Sequence, residues 1–121
     1  MKDNRPKTII CDIDGTLIIH SNPYIVAQNK IRHILLEGTE EKLIEWDKKG
    51  YNIILLTGRK ESLRKITEEQ LTQAGIFYDQ LIMGVGGGKR YLINDRKDNS
   101  DEDTAFAINL GRNVGLRDID I

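Results

Sequence analysis

The 121-residue sequence has few of the residues that mark specialised classes of protein. A single cysteine excludes an intrachain disulfide and a zinc site built from several cysteines. With 2 prolines and 11 glycines, the chain is neither collagen-like nor of low complexity. The 18 basic and 19 acidic side chains leave a net charge of -1, so the overall charge does not predict binding to nucleic acid or anionic membranes.

Long hydrophobic runs are also lacking. No stretch approaches the roughly 20 apolar residues of a membrane-spanning helix, and the polar residues 1–7 do not resemble a secretory signal. These features favour a cytoplasmic protein without a membrane partner. At this length, and with 39% hydrophobic residues, we expect a single domain over residues 1–121.

Short apolar, β-branched runs alternate with amphipathic segments along the chain. The runs predict strands, and the amphipathic segments that end near a glycine predict helices. Strands are predicted at residues 7–14, 51–56, 80–83, 91–94 and 113–116, and helices at residues 39–50, 61–74 and 101–110. This alternation predicts an α/β fold, a doubly wound, Rossmann-like sandwich of three layers around a central parallel sheet.

Polar side chains follow three of the predicted strands. The first strand ends in Asp12 and Asp14, the second in Thr57 and the fourth in Asp95. Because ligands bind at the carboxyl ends of strands in such sheets, we expect these side chains to converge there. Closely packed carboxylates repel one another unless a cation intervenes, and Mg²⁺ prefers oxygen ligands. The residues therefore predict a Mg²⁺-assisted phosphate site.

The spacing within the segment DIDGT is informative in itself. In an extended strand Asp12 and Asp14 point to the same side, so one carboxylate can attack while the other handles a proton. Gly15 allows the chain to turn sharply beyond them. The alternative is a pair of solvent-facing acids at the end of a strand.

These motifs resemble those of phosphatases of the haloacid dehalogenase superfamily. The run TIICDIDGTL matches the family's apolar strand followed by D-x-D-G-T, IILLTGR matches its second motif, and YLINDR matches its fourth. The resemblance extends over nearly the whole chain and is most specific in the first motif. The chain is similar in particular to capsule-biosynthesis phosphatases and to polynucleotide 3′-phosphatase domains.

The resemblance implies catalytic roles for the matching residues. Asp12 would be the nucleophile that forms an aspartyl-phosphate, and Asp14 the general acid and base. Thr57, with Gly58 beside it, would bind the phosphoryl oxygens. Lys89 would neutralise the charge of the nucleophile and the phosphate.

The resemblance also implies a Mg²⁺ ion, held by Asp12, the backbone carbonyl of Asp14 and Asp95. The next acid, Asp98, is a further candidate ligand. The pattern is compressed here, because Lys89 precedes Asp95 by only six residues. An extended strand would place those two residues ~20 Å apart at ~3.3 Å per residue. Lys89 can therefore act only if the glycine-rich loop at residues 84–88 keeps it at the edge of the sheet where Asp12 lies.

Two further residues have an open interpretation. Arg59 either binds a substrate anion or lies at the surface where the second helix starts. His20 either contacts the substrate or its leaving group, or is an exposed loop residue.

The chain lacks room for the cap domains that this superfamily inserts. Only a flap at about residues 15–38 and a short stretch at residues 84–88 are available. A capless, open site suits a bulky phosphorylated substrate, such as a sugar conjugate, a nucleic-acid end or a protein. A homo-oligomer that covers the open site is the other arrangement we consider.

The function that best fits the motifs is Mg²⁺-dependent hydrolysis of phosphomonoesters. Two alternatives keep the fold: a catalytically silent module that binds phosphate or a partner, and a phosphotransferase in which an alcohol replaces water. A signalling receiver domain is disfavoured, because its phosphorylated aspartate follows the third strand, whereas this third strand ends in Met83.

Overall fold

A computed structural model describes residues 3–22 and 35–121. Three parallel strands form its sheet in the order β1-β2-β3: β1 (Thr8–Asp12), β2 (Asn52–Leu56) and β3 (Gln80–Ile82). Helix α1 (Thr39–Lys48) precedes β2, while a 3-10 helix (Glu61–Leu63) and helix α2 (Arg64–Gln73) lie between β2 and β3. The predicted α/β class and parallel sheet are confirmed, and no cap is evident among the described residues.

The two longer strands are built from the apolar runs of the sequence. Their buried residues pair in register, with Ile9 opposite Ile53 and Cys11 opposite Leu55. Ile10 lies between them in β1 and is 46% exposed. Within the described ranges β1 pairs only with β2, so its other edge has no partner strand there.

Helix α1 covers the core through two side chains spaced three residues apart. Leu43 and Trp46 are each 1% exposed, because residues at this spacing share one helix face. Thr39 is the first helical residue and the cap position before it is taken by Gly38 with φ 87°, so the Thr39 side chain does not cap the helix. The Thr39 hydroxyl instead donates to the carbonyl of Leu17 at 2.8 Å, which joins the helix to the loop after β1.

The predicted fourth strand at residues 91–94 and the helix at residues 101–110 are not formed. Tyr91 and Ile93 are 85% and 90% exposed, and Phe106 is 76% exposed. An apolar run becomes a strand only where a neighbouring strand satisfies its backbone, and among residues 3–22 and 35–121 this segment has no such neighbour. The last predicted strand, at residues 113–116, is also wrong, because it forms turns in which Asn113 has a left-handed φ of 64°.

The C-terminal residues instead pack against the loop that follows β1. The backbone N–H of Asn113 donates to the carbonyl of Gly15 at 2.8 Å, and that of Leu116 donates to the carbonyl of Glu37 at 2.8 Å. Leu116 and Ile119 are buried in the core. The segment therefore fixes the position of the turn that follows Asp14.

Gly115 lies in close contact with the backbone of Glu37, and substitution of Gly115 tests this packing. Gly115 has φ 95°, and a Cβ atom there would collide with the backbone carbonyl of Glu37. We expect Gly115→Ala to lower the free energy of unfolding by roughly 2–4 kcal/mol, through left-handed strain and overpacking together. Urea denaturation measures this loss.

The matched control is Gly75→Ala. Gly75 has a similar φ of 75°, but a Cβ atom at this position would have no neighbour within 4 Å. This substitution retains the backbone strain without the collision, so we expect a loss of about 1–2 kcal/mol. Equal losses in the two variants would show that residues 115–119 are not packed on Glu37.

Candidate active site

Asp12 and Thr57 lie at the same edge of the sheet. Asp12 is the last residue of β1, and Thr57 directly follows β2, which runs parallel to β1. Beyond Asp12 the chain turns at once, because Gly15 adopts φ 85° and the N–H of Leu17 donates to the carbonyl of Ile13 at 2.9 Å. Asp14 is thereby held at this edge, as the sequence predicts for a site at the carboxyl ends of the strands.

The Asp12 carboxylate is half-buried and faces a wide cleft. One oxygen, Oδ1, accepts a hydrogen bond from a guanidinium nitrogen of Arg90 at 3.1 Å. The other, Oδ2, accepts from the hydroxyl of Thr16 at 3.4 Å. The side chain remains 36% exposed, so its oxygens can be approached from the cleft.

The Asp14 carboxylate is held by a buried arginine. Arg59 donates from Nε to Oδ2 at 2.9 Å and from a terminal nitrogen to Oδ1 at 2.7 Å. The remaining terminal nitrogen donates to Thr67 Oγ1 at 3.1 Å and to Gln70 Oε1 at 2.8 Å. The Arg59 side chain is only 4% exposed, which corrects the interpretation of this residue as a surface group. Such a two-pronged pair fixes the carboxylate in orientation as well as position.

A signal for this pairing exists in the sequence. Thr67 and Gln70 lie three residues apart on α2 and share the buried side of the helix with Leu71. Polar residues on the apolar side of a helix require a buried partner. That requirement could have identified Arg59 as an interior residue.

Thr57 and Gly58 shape the turn after β2. Thr57 is 1% exposed, and its hydroxyl oxygen accepts the backbone N–H of Arg59 at 3.1 Å. A Cβ at Gly58 would lie 3.2 Å from the carbonyl oxygen of Gly86. Glycine at position 58 therefore lets the loop of residues 84–88 approach the site closely.

The cation at Asp12 is Arg90, which no motif in the sequence indicates. Lys89 is exposed, and within the described part of the chain it makes no ion pair with either aspartate. Arg90 also donates to the carbonyl of Gly86 at 3.3 Å, so the glycine-rich loop holds it beside Asp12.

The remaining candidates lie at the margin of the site. His20 is exposed in the cleft, and its backbone N–H donates to Asn113 Oδ1 at 2.8 Å. Asp98 lines the same cleft and is exposed. Asp95 is exposed and pairs with Lys97 at 3.9 Å.

The expected convergence of Asp95 with Asp12 and Asp14 is not seen. The segment before Asp95 does not form a strand, so nothing carries this carboxylate to the carboxyl edge of the sheet. Across residues 3–22 and 35–121, no group of three His, Cys, Asp or Glu side chains is arranged to hold a metal ion. The side chains in this arrangement therefore do not form the predicted Mg²⁺ site.

Cys11 lies next to Asp12 but has a structural role. Burial raises the pKa of the Cys11 thiol to about 12, and the neighbouring charge of Asp12 adds to this effect. The thiol is 8% exposed and stays protonated near neutral pH, so it does not act as a thiolate nucleophile.

Comparison with known proteins identifies relatives of this chain. Residues 6–105 match the family of the polynucleotide kinase PNKP phosphatase domain. A solved structure described as a Pnkp1/Rnl/Hen1 complex contains a chain that is 34% identical, with a TM-score of 0.57, over 78% of this chain and 31% of that one. A second, of the Pnkp1/Rnl/Hen1 RNA repair complex, is 32% identical, with a TM-score of 0.55, over 79% of this chain and 28% of that one.

The chain thus spans less than a third of the length of these two relatives. A structure from Vibrio cholerae shares the fold, with 21% identity and a TM-score of 0.51 over 73% of this chain and 79% of that one. No protein of curated function matches. No described helix is both long and apolar enough to cross a membrane. Since the family match covers most of the sequence, the chain belongs to the family of the polynucleotide kinase PNKP phosphatase domain, a phosphatase domain of the haloacid dehalogenase superfamily.

Proposed function

We propose that this chain hydrolyses phosphomonoesters through an aspartyl-phosphate on Asp12. The observation that carries the proposal is the contrast between the two carboxylates at the end of β1. Asp12 is 36% exposed to the cleft, while the Asp14 side chain is 13% exposed and held by Arg59. One carboxylate is accessible for attack, and the other is oriented for proton transfer.

Two steps account for the reaction. An oxygen of Asp12 forms a bond to phosphorus while the ester P–O bond breaks, and the leaving oxygen takes a proton from Asp14. Water then attacks the phosphorus of the aspartyl-phosphate and gives a proton to Asp14. The bond between Asp12 and phosphorus breaks, which releases inorganic phosphate and restores both carboxyl groups.

Arg59 is a positioning residue in this scheme. Its bonds to both oxygens of Asp14 prevent that carboxylate from turning away from the substrate. Each oxygen of Asp14 keeps a lone pair beyond its bond to Arg59, so one of them can carry the proton that Asp14 donates in the first step and takes back from water in the second.

The turn after β2 supplies the phosphate-binding groups. The Thr57 oxygen already accepts the N–H of Arg59, so its own hydroxyl proton remains to be donated to a phosphoryl oxygen. Gly58 adds a backbone N–H at the same edge. Lys89, exposed in this arrangement, stays a prediction for the neutralising cation.

Magnesium dependence is part of the proposal, with Asp12, the carbonyl of Asp14 and Asp95 as the ligands. Mg²⁺ typically binds one or two carboxylates together with substrate phosphate. Asp12 and Asp14 are instead paired with arginines in this structure, and Asp95 lies apart from them. Binding of Mg²⁺ would therefore require Asp12 and Asp95 to approach each other, and the ion would supply positive charge to the transferred phosphoryl group.

A phosphorylated nucleic-acid end is the substrate class that we propose. The family is that of a polynucleotide kinase phosphatase domain, and two relatives above 30% identity come from Pnkp1/Rnl/Hen1 complexes, one of which is described as an RNA repair complex. The cleft beside Asp12 is open, with no cap among the described residues, and it can accommodate the end of a nucleic-acid strand. Partner proteins of an RNA repair assembly are proposed on the same basis.

The test is phosphate release from a panel of phosphomonoesters, with and without Mg²⁺, by the wild type and Asp12→Asn. The panel contains p-nitrophenyl phosphate, sugar phosphates, nucleotides and 3′-phosphorylated oligonucleotides. We expect Mg²⁺-dependent turnover, highest on the oligonucleotides, that is lost in Asp12→Asn. Turnover that persists in Asp12→Asn would contradict the aspartyl-phosphate.

A catalytically silent phosphate-binding module is the second candidate. It is supported by the pairing of both aspartates with arginines and by the lack of a three-ligand metal cluster in the described ranges. Folded protein that binds phosphate but turns over no member of the panel would favour it. A phosphotransferase would instead transfer the phosphoryl group to an added alcohol acceptor and form a new phosphomonoester.

A further inference from the structure

Among the cationic side chains near Asp12, we compare Arg59, which holds Asp14, with the neighbouring residues Lys89 and Arg90. An attacking carboxylate and a phosphomonoester dianion repel each other, so one cation at this point has a large effect on the barrier. Their environments differ enough to distinguish them.

Most of the donors of Arg59 are already used by protein groups. Its side chain makes four hydrogen bonds, to Asp14, Thr67 and Gln70, and is 4% exposed. A guanidinium has five N–H donors, so at most one remains for a ligand. With at most one donor left and a side chain that is 4% exposed, Arg59 is poorly suited to bind a phosphoryl group.

Arg90 has the opposite properties. Two of its nitrogens are used, one on Asp12 Oδ1 at 3.1 Å and one on the Gly86 carbonyl at 3.3 Å. Its side chain is 36% exposed and lines the cleft. Donors therefore remain on the guanidinium, in the space from which a substrate reaches Asp12.

We propose that Arg90, rather than Lys89, is the cation that neutralises Asp12 and binds the transferred phosphoryl group. This inference rests on the proposed function and names a further catalytic residue for it. The planar guanidinium suits the step, because it can hold an oxygen of Asp12 and a non-bridging phosphoryl oxygen at the same time. The hydrogen bond to the Gly86 carbonyl holds the guanidinium beside Asp12, so the role of the glycine-rich loop is to position Arg90.

The consequence for the substrate is a preference for phosphomonoesters over diesters. A phosphomonoester dianion carries two negative charges on three non-bridging oxygens. A phosphodiester carries one negative charge on two non-bridging oxygens. The donors left on Arg90 favour the more highly charged group.

The experiment compares Arg90→Ala, Arg90→Lys, Lys89→Ala and the control Lys60→Ala, an exposed cation of the cleft. The measurements are kcat/KM on the preferred phosphomonoester and the inhibition constant for inorganic phosphate. We expect Arg90→Ala to lower kcat/KM by about 10²–10³-fold and to weaken phosphate inhibition about tenfold or more. Arg90→Lys should recover part of both, and Lys60→Ala should stay within about threefold of the wild type.

Arg90→Ala within about threefold of the wild type in both measurements would overturn the inference, above all if Lys89→Ala shows the large loss. Failure of the proposed function gives a different result, namely a wild type without turnover. In that case, binding of inorganic phosphate is measured by titration calorimetry for the wild type and for Arg90→Ala. Weaker binding by Arg90→Ala supports the inference about Arg90. Equal binding by wild type and Arg90→Ala, or no binding by either, overturns it.

Discussion

Asp14→Asn is expected to stop the reaction at the aspartyl-phosphate. With p-nitrophenyl phosphate the leaving group needs little protonation, so Asp12 still attacks and one equivalent of p-nitrophenol is released. The amide cannot accept a proton from water, so hydrolysis of the intermediate slows and steady-state turnover falls by about 10²–10⁴-fold. A rapid burst of p-nitrophenol, with a protein mass increased by one phosphoryl group after acid quenching, measures this.

The control for this experiment is Asp12→Asn, which should show neither burst nor mass increase. A mass increase that maps to a peptide without Asp12 would assign the nucleophile elsewhere. With a poor leaving group, such as a sugar phosphate, Asp14→Asn should lose the burst as well, because the first step then requires the acid. A burst of equal size on both substrates would argue against Asp14 as the general acid.

Arg59→Met should produce the largest loss of stability of the substitutions considered. Removal of one partner from a buried ion pair leaves the other charge uncompensated, which costs about 3–5 kcal/mol. Here Asp14 would lose both of its bonds to Arg59, and Gln70 Oε1 would lose the guanidinium donor. The free energy of unfolding in urea is the measurement.

Two further variants identify the origin of the loss of stability in Arg59→Met. Arg96→Gln removes a cation from an exposed pair with Asp103, in which both side chains are at least 60% exposed, and should cost no more than about 1 kcal/mol. The double variant Arg59→Met with Asp14→Leu removes both charges and should regain part of the stability of Arg59→Met alone. No regain would show that the loss comes from packing or from Thr67 and Gln70, and not from the charge of Asp14.

The part of the site that could be predicted from the sequence is local. Asp12 and Asp14 stand two positions apart at the end of one apolar run, and Thr57 ends another, so the strand pattern alone places them at one edge. The family match confirms the superfamily that these motifs indicate. The roles of the individual residues stay predictions.

The contacts that could not be predicted join distant segments. Arg59 is 45 residues from Asp14, and Arg90 is 78 residues from Asp12. Nothing in the local pattern of residues 84–90 distinguishes Lys89 from its neighbour Arg90. The choice between them depends on how the glycine-rich loop is held against Gly58, which is a property of the folded chain.

The segment at residues 91–94 shows a second limit. Its apolar pattern is that of a strand, but a strand requires a partner, and pairing depends on the rest of the fold. Asp95 is expected at the site only because this strand is expected. Because the segment is not paired in this structure, Asp95 lies apart from Asp12 and Asp14, and its role as a metal ligand stays a prediction.

In the part of the chain that the structure describes, one edge of β1 is unpaired, which has a consequence for the protein in solution. A strand edge with free backbone groups is a template for another chain, and Ile10 adds an exposed apolar side chain to it. Tyr91, Ile93 and Phe106 are exposed as well. With a net charge of only -1, electrostatic repulsion between molecules is weak. We therefore expect the protein to self-associate as its concentration rises.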